Sequence, residues 1–243
     1  MEREASAERV LELSSVSKAY GGLRPLRVRE LRVARAEAVA IVGFDRVCAE
    51  VFVNLATGAT LPESGDVRVF GRATSAIADS DDWLATADRF GIVSERAVLL
   101  GQLSVLQNLA MPFTLDVEPI PEDVRAKAID LAREIGLVEA DWDRAIANVD
   151  ALTAMRLRLG RALALEPAVL LLEHVNAGLT SEAAAQLGAD VRAIAARRGI
   201  AVVALTVDAA FAGAVADRVL EWDAATGRLT EHRRGGWFGR WLG

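Results

Sequence analysis

Residues 156–180 read RLRLGRALALEPAVLLLEHVNAGLT, and this stretch decides the fold. Its first part reads as a helix. Pro167 breaks it, because proline lacks an amide proton and restricts the residue before it. Residues 168–172 form a continuous apolar run, short enough for a strand covered on both faces. Glu173, His174 and Val175 close that run, and a polar loop leads to Thr180. A helix feeding a doubly covered strand is the repeating unit of a parallel α/β sheet.

The same alternation extends outward. Residues 10–16 and 26–33 alternate apolar and polar, as half-buried strands do. Between them lies a loop with Tyr20, Gly21 and Gly22. The run 38–42 (AVAIV) predicts a buried strand ending at Gly43, and 47–56 a helix. Glu63, Ser64, Gly65 and Asp66 predict a turn into a strand over 67–70. Residues 91–93 end another strand. Helical spacing covers 103–111 and 122–135, the second opened by Pro121 and Glu122. An Ala-rich helix over 181–198 stops at Gly199, and 201–206 is a fully apolar strand. Residues 219–222 and 228–230 predict a closing hairpin around Thr226 and Gly227. The fold class is α/β: a mostly parallel sheet, antiparallel strands near the N-terminus, and a helical subdomain over 97–149. All 243 residues are expected to form one domain, with 232–243 as a tail.

Composition excludes several classes of function. Net charge is −6 and the isoelectric point near 5.1, which argues against a nucleic-acid partner. Cys48 is the only cysteine, so neither a disulfide framework nor a cysteine metal site is expected. The opening MEREASAERV lacks the apolar core of a signal peptide. No run is long enough to predict a membrane-spanning helix.

The order of these segments resembles the ATP-binding cassette (ABC) ATPase family over nearly the whole chain. The family's Gly160-Arg161-Ala162-Leu163-like signature helix runs into its Walker B strand. What departs is the chemistry in each motif slot. The phosphate loop needs glycines that bring backbone N–H groups onto phosphate, then Lys and Ser/Thr. Here the slot reads GFDRVCAEV, and only Gly43 matches. Arg46 and Cys48 replace glycines, Ala49 replaces the Lys, and Glu50 replaces the Mg²⁺-binding hydroxyl. Asp45 and Glu50 add negative charge, each costing roughly 4 kcal/mol at about 4 Å from a phosphate at an effective dielectric near 20.

Other slots depart likewise. Glu95 stands at the Q-loop glutamine. The signature pentapeptide corresponds to Val149, Asp150, Ala151, Leu152 and Thr153, with side chains where two glycines permit close approach. Glu173 and His174 stand for the Walker B aspartate and catalytic glutamate. Val207 stands for the switch histidine and can make no side-chain hydrogen bond. Tyr20 occupies the place of the adenine-stacking aromatic. The segment LSVLQNLAMPF, with Leu103, Leu106, Met111 and Phe113, matches the groove that receives a permease helix. In the tail, Trp237, Phe238 and Trp241 alternate with Gly and Arg, which suits a membrane interface or a protein groove.

The resemblance implies a degenerate cassette subunit that does not hydrolyse ATP. No tightly held cofactor is expected, and weak ATP and Mg²⁺ binding is the most the slots allow. Its partners would be a membrane permease subunit and either a second copy of itself or another cassette ATPase. Its place would be the cytoplasmic face of the inner membrane. The alternatives are a divergent but active ATPase that uses Glu173, His174 and Arg46, and a soluble regulator that kept only the fold.

Overall fold

The computed structural model describes residues 8–231; the tail residues Trp237, Phe238 and Trp241 lie outside the described residues. Strands β1 (Arg9–Lys18), β2 (Leu26–Ala34), β4 (Ser64–Val69) and β5 (Arg72–Ala73) form an antiparallel sheet in the order β2-β1-β4-β5. The second sheet comprises β3 (Ala38–Val42), β6 (Phe90–Ser94), β7 (Val169–Glu173), β8 (Ala201–Thr206), β9 (Arg218–Asp223) and β10 (Arg228–Glu231). Its order is β10-β9-β3-β8-β7-β6. All its neighbouring pairs are parallel except β10 with β9. The helices are α1 (Arg46–Ala56), α2 (Ser80–Ala87), α3 (Val105–Ala110), α4 (Glu122–Glu134), α5 (Ala151–Leu163), α6 (Ser181–Arg198) and α7 (Ala209–Val215).

The apolar run 168–172 has a physical reason. Val169 and Leu171 pack with Ile41, Phe52, Leu11 and Leu13, in the cluster between the two sheets and α1. Leu170 and Leu172 pack with Leu109, Leu159, Leu187 and Phe211, in the cluster beneath the helices. Successive side chains of a strand point to opposite faces, so a strand covered twice must be apolar at every position. β8 divides in the same way, Val203 and Leu205 to one cluster and Val202 and Ala204 to the other.

Several expectations need correction. α5 starts at Ala151 because Asp150 caps it. α3 runs only from Val105, since Ser104 and Gln107 close a capping box there. Helices α2 and α7 were not expected; each is short, and α2 (SDDWLATA) has no buried residue to set a period. Residues 63–66 are not a free turn. Ser64 and Gly65 belong to β4, opposite a register shift in β1 between Ser14 and Ser17. Gly65 has φ +85°, and a Cβ on it would lie 2.4 Å from the Ser15 carbonyl oxygen. Within 97–149 the secondary structure is helical, α3 and α4 plus 3₁₀ turns at Glu139–Asp141 and Ile146–Asn148.

Candidate functional site

The parallel sheet brings the carboxyl ends of β3, β7 and β8 together. Val42 pairs with Thr206, Glu173 with Leu205, and Ser94 with Glu173. Crevices at such strand ends are where open α/β sheets hold ligands. Arg46, Glu50, Glu95, Glu173 and His174 line one small cavity there, of about 140 Å³, together with Val47, Ser94 and Arg96.

After β3 the chain makes only Gly43, Phe44 and Asp45 before α1 begins. Gly43 has φ +110°, and its N–H donates to the Thr206 carbonyl. Phe44 is fully buried, edge-on to Trp222 at 4.5 Å and tilted on Phe52 at 5.6 Å. Asp45 is the N-cap: its carboxylate accepts the Cys48 N–H at 2.7 Å, and its carbonyl accepts the Ala49 N–H at 2.9 Å. One first-turn amide, that of Cys48, and the positive end of the helix dipole thus meet a carboxylate of the chain itself. Ala49 is fully buried in the core cluster.

Tyr20 turns toward the same helix end. Its hydroxyl pairs with Cys48 Sγ at 3.2 Å, and its ring covers Gly22, where a Cβ would fall 2.7 Å from the ring. The Cys48 hydrogen bond, followed by burial, pushes the Tyr20 pKa up from 10 to about 12. Burial raises the Cys48 thiol as well. Because the folded-state value is raised, this stabilising contribution is complete below pH 10 and is lost as pH climbs toward 12. Tyr20 is the only tyrosine, so phenolate absorbance reads it directly. Its midpoint is expected well above 10 in the folded protein and should fall when Cys48→Ala removes the partner. A midpoint at 10 that ignores the substitution would contradict this geometry.

The signature slot has a second aspartate cap. Asp150 accepts the Thr153 N–H at 2.7 Å, and that bond holds its carboxyl below the usual range. Val149 and Leu152 pack against the helical core, Thr153 is buried and Ala151 is exposed.

Glu173 is 6% exposed and His174 7%. His174 sits at φ +48°, which a side chain rarely adopts. Its N–H donates to the Leu205 carbonyl, while its buried Nε2 finds no hydrogen-bond partner among the described residues. Val207 is 65% exposed. Beside it Thr206 donates to Asn176, whose amide donates to Asp208, the cap of α7.

Arg96 was not singled out by sequence. It donates to Glu50 at 2.7 Å and to Glu173 at 2.5 Å. Arg46 pairs with Glu95 at 3.2 Å. Two arginines of α5 hold the loop that carries Arg96: Arg158 donates to the Ala97 carbonyl and Arg161 to that of Val98. The signal that could have found Arg96 was electrostatic. Two carboxylates, Glu50 and Glu173, stood in cation-ligand slots without a cation.

The groove residues divide. Leu106 is buried in the helical core and lines no surface, because α3 turns it inward. Leu103, Met111 and Phe113 are half-buried, and Lys127 Nζ lies 5.5 Å from the Phe113 ring centre. The exposed apolar residues of this region are Val98, Leu100 and Leu115. Buried Asn108 ties the loop down, accepting the Leu100 N–H and donating to the Leu100 and Ser104 carbonyls.

No family profile matches the chain. Individual relatives do. A methionine import ATP-binding protein MetN of Brucella abortus is 26% identical over 219 residues, covering 90% of this chain and 58% of that protein. The MetN of Rhizobium etli is 28% identical over 230 residues, 94% and 62% respectively. A sulfate/thiosulfate import ATP-binding protein CysA of Bordetella bronchiseptica is 29% identical over 226 residues, 91% and 61%. The chain therefore spans about three-fifths of the length of these relatives. In fold, cbiO1 from Clostridium perfringens, part of the ABC transporter complex cbiONQ, aligns with TM-score 0.78 at 20% identity, over 92% of this chain and 87% of that one. The relatives found by sequence are thus ABC transporter ATP-binding proteins, and the fold is that of an ABC cassette. The chain also aligns with the ATP-binding cassette MJ0796, solved as a dimer bound to ADP and Pi, with TM-score 0.73 at 20% identity over 91% and 98%. Among its described residues no helix is long and apolar enough to cross a membrane.

Proposed function

We propose that the cassette is a non-hydrolysing subunit of a membrane import complex. It would seat on a permease at the cytoplasmic face of the inner membrane and pair with a second copy or with an active cassette. The supporting observation is that both helix N-termini in the phosphate-facing slots, those of α1 and α5, are capped by carboxylates of the chain itself, Asp45 and Asp150. Phosphate binding at a helix end needs free amides and positive potential; each carboxylate occupies one first-turn amide and sets a negative charge against the helix dipole. Buried Ala49 offers no cation, and the Glu50 and Glu173 slots already share a guanidinium. The residues present do not fit Mg-nucleotide. The import role follows the names of the MetN and CysA relatives.

A divergent ATPase is the second reading, favoured by the unpartnered Nε2 of His174, which a general base would need free. Purified protein with labelled ATP and Mg²⁺ separates the two. The expected result is phosphate release no faster than the blank, alone and with Ala49→Lys combined with Glu50→Ser. Turnover that His174→Ala abolishes would establish the second reading instead. Recovery of the cassette with a permease in detergent extracts is expected, and a wholly soluble, unpartnered chain would contradict the assembly role.

A further inference from the structure

We propose that Arg96 is a built-in replacement for a divalent cation, bridging Glu50 and Glu173 so that α1, β7 and the loop after β6 are held together with no metal. This rests on the non-hydrolysing reading and names the device that sustains it.

Three elements converge on the guanidinium. Glu50 lies on α1, one turn past its Asp45 cap. Glu173 is the last residue of β7. Arg96 lies two residues past the end of β6, and the pairing of Ser94 with Glu173 sets it above the carboxylate. Its backbone N–H donates to Ser94 Oγ at 3.2 Å, which turns the chain there. One guanidinium nitrogen meets each carboxylate, at 2.7 and 2.5 Å. A planar fork with several donors suits two ligands from separate elements, which a lysine ammonium matches less well.

The charge balance explains why a cation is needed. Glu173 is 6% exposed, and a buried carboxylate without a partner is strongly disfavoured. Arg46, Arg96, Glu50, Glu95 and Glu173 line the same cavity. Among these five groups, three carboxylates against two guanidinium groups leave one net negative charge. Without Arg96 that becomes two, the charge that a divalent ion neutralises.

Thermal unfolding of nucleotide-free protein, with and without millimolar Mn²⁺ or Mg²⁺, tests this. The wild-type midpoint should ignore either ion. Arg96→Met should lower it by roughly 5 °C or more, and Mn²⁺ should restore much of the loss. Arg96→Met with Glu173→Gln removes the cation and the buried charge together. That double variant should be more stable than Arg96→Met and should not respond to Mn²⁺. If Arg96→Met does not fold, recovery of folded protein in the double variant supports the proposal. An Arg96→Met protein as stable as wild type, a wild type equally stabilised by Mn²⁺, or a double variant no better than the single one would each overturn it. ATP turnover enters none of these readings, so failure here is distinct from failure of the non-hydrolysing reading.

Discussion

Phe44→Ala is expected to cost about 3–5 kcal/mol of folding stability, a fall in midpoint of roughly 6–20 °C for a chain of this size. Phe44 lies in the short connection between β3 and α1, yet it is fully buried. Its ring contacts Trp222 of β9 edge-on and Phe52 of α1 at a tilt. Aromatic pairs of this kind add about 0.5–1.5 kcal/mol beyond their buried area. Truncation leaves a cavity where the two aromatics and the core between the sheets meet, and rigid strands cannot collapse to fill it. Phe44→Leu keeps most of the volume and should lose less than half as much. Urea unfolding monitored by circular dichroism reads both variants. A loss under about 1 kcal/mol for the alanine variant would show that the loop is not anchored to the core. The anchor matters to the site because Phe44 precedes Asp45, and fixing one backbone position fixes the carboxylate that caps α1.

Gly65→Ala is the second large expected effect, about 3 kcal/mol. Two independent penalties act at this residue. The backbone is held at φ +85°, and a Cβ would approach the carbonyl oxygens of Ser15 and Ser14 within 2.4 and 2.5 Å. Those oxygens are backbone atoms and cannot rotate aside, so β1 and β4 must separate where β1 already shifts register. Gly71 has a similar φ of +81° but open space around it. Gly71→Ala is therefore the control: it carries the backbone strain without the collision and should lose clearly less. Equal losses at the two positions would mean that conformation alone, and not the close approach, sets the requirement for glycine.

The contrast between these positions shows what the sequence can carry. β7 and β8 were legible because each lies between two apolar layers, and the result is an unbroken apolar run. α6 was legible from its Ala-rich run and from Gly199, at φ +65°, at its end. Gly65 was misread because a glycine in a turn and a glycine facing a bulge look alike until the opposing strand is known. Leu106 was misread because five of the six residues of α3 are buried, and a helix covered on nearly every side shows no outward face in its sequence. At the site, substitutions could be read slot by slot, but their compensation could not. Arg96 works through Glu50 and Glu173, both distant in sequence, and an ion pair leaves no period or spacing behind. The aspartate caps were not read from the sequence, where Asp45 figured only as a charge in the phosphate slot and Asp150 only as a signature-slot residue. Asp45 and Asp150 stand where N-caps belong, yet only their bonds to Cys48 and Thr153 show that the carboxylates turn onto the helix ends that would otherwise meet phosphate.

Calorimetric titration of the purified cassette with Mg-ATP tests the account most directly. Capped helix ends, a buried alanine in the lysine slot and an occupied cation bridge predict no saturable heat, with affinity weaker than about 1 mM. Saturable one-site binding in the micromolar range would mean that Asp45 and Arg96 yield their partners to the nucleotide, and would contradict the account.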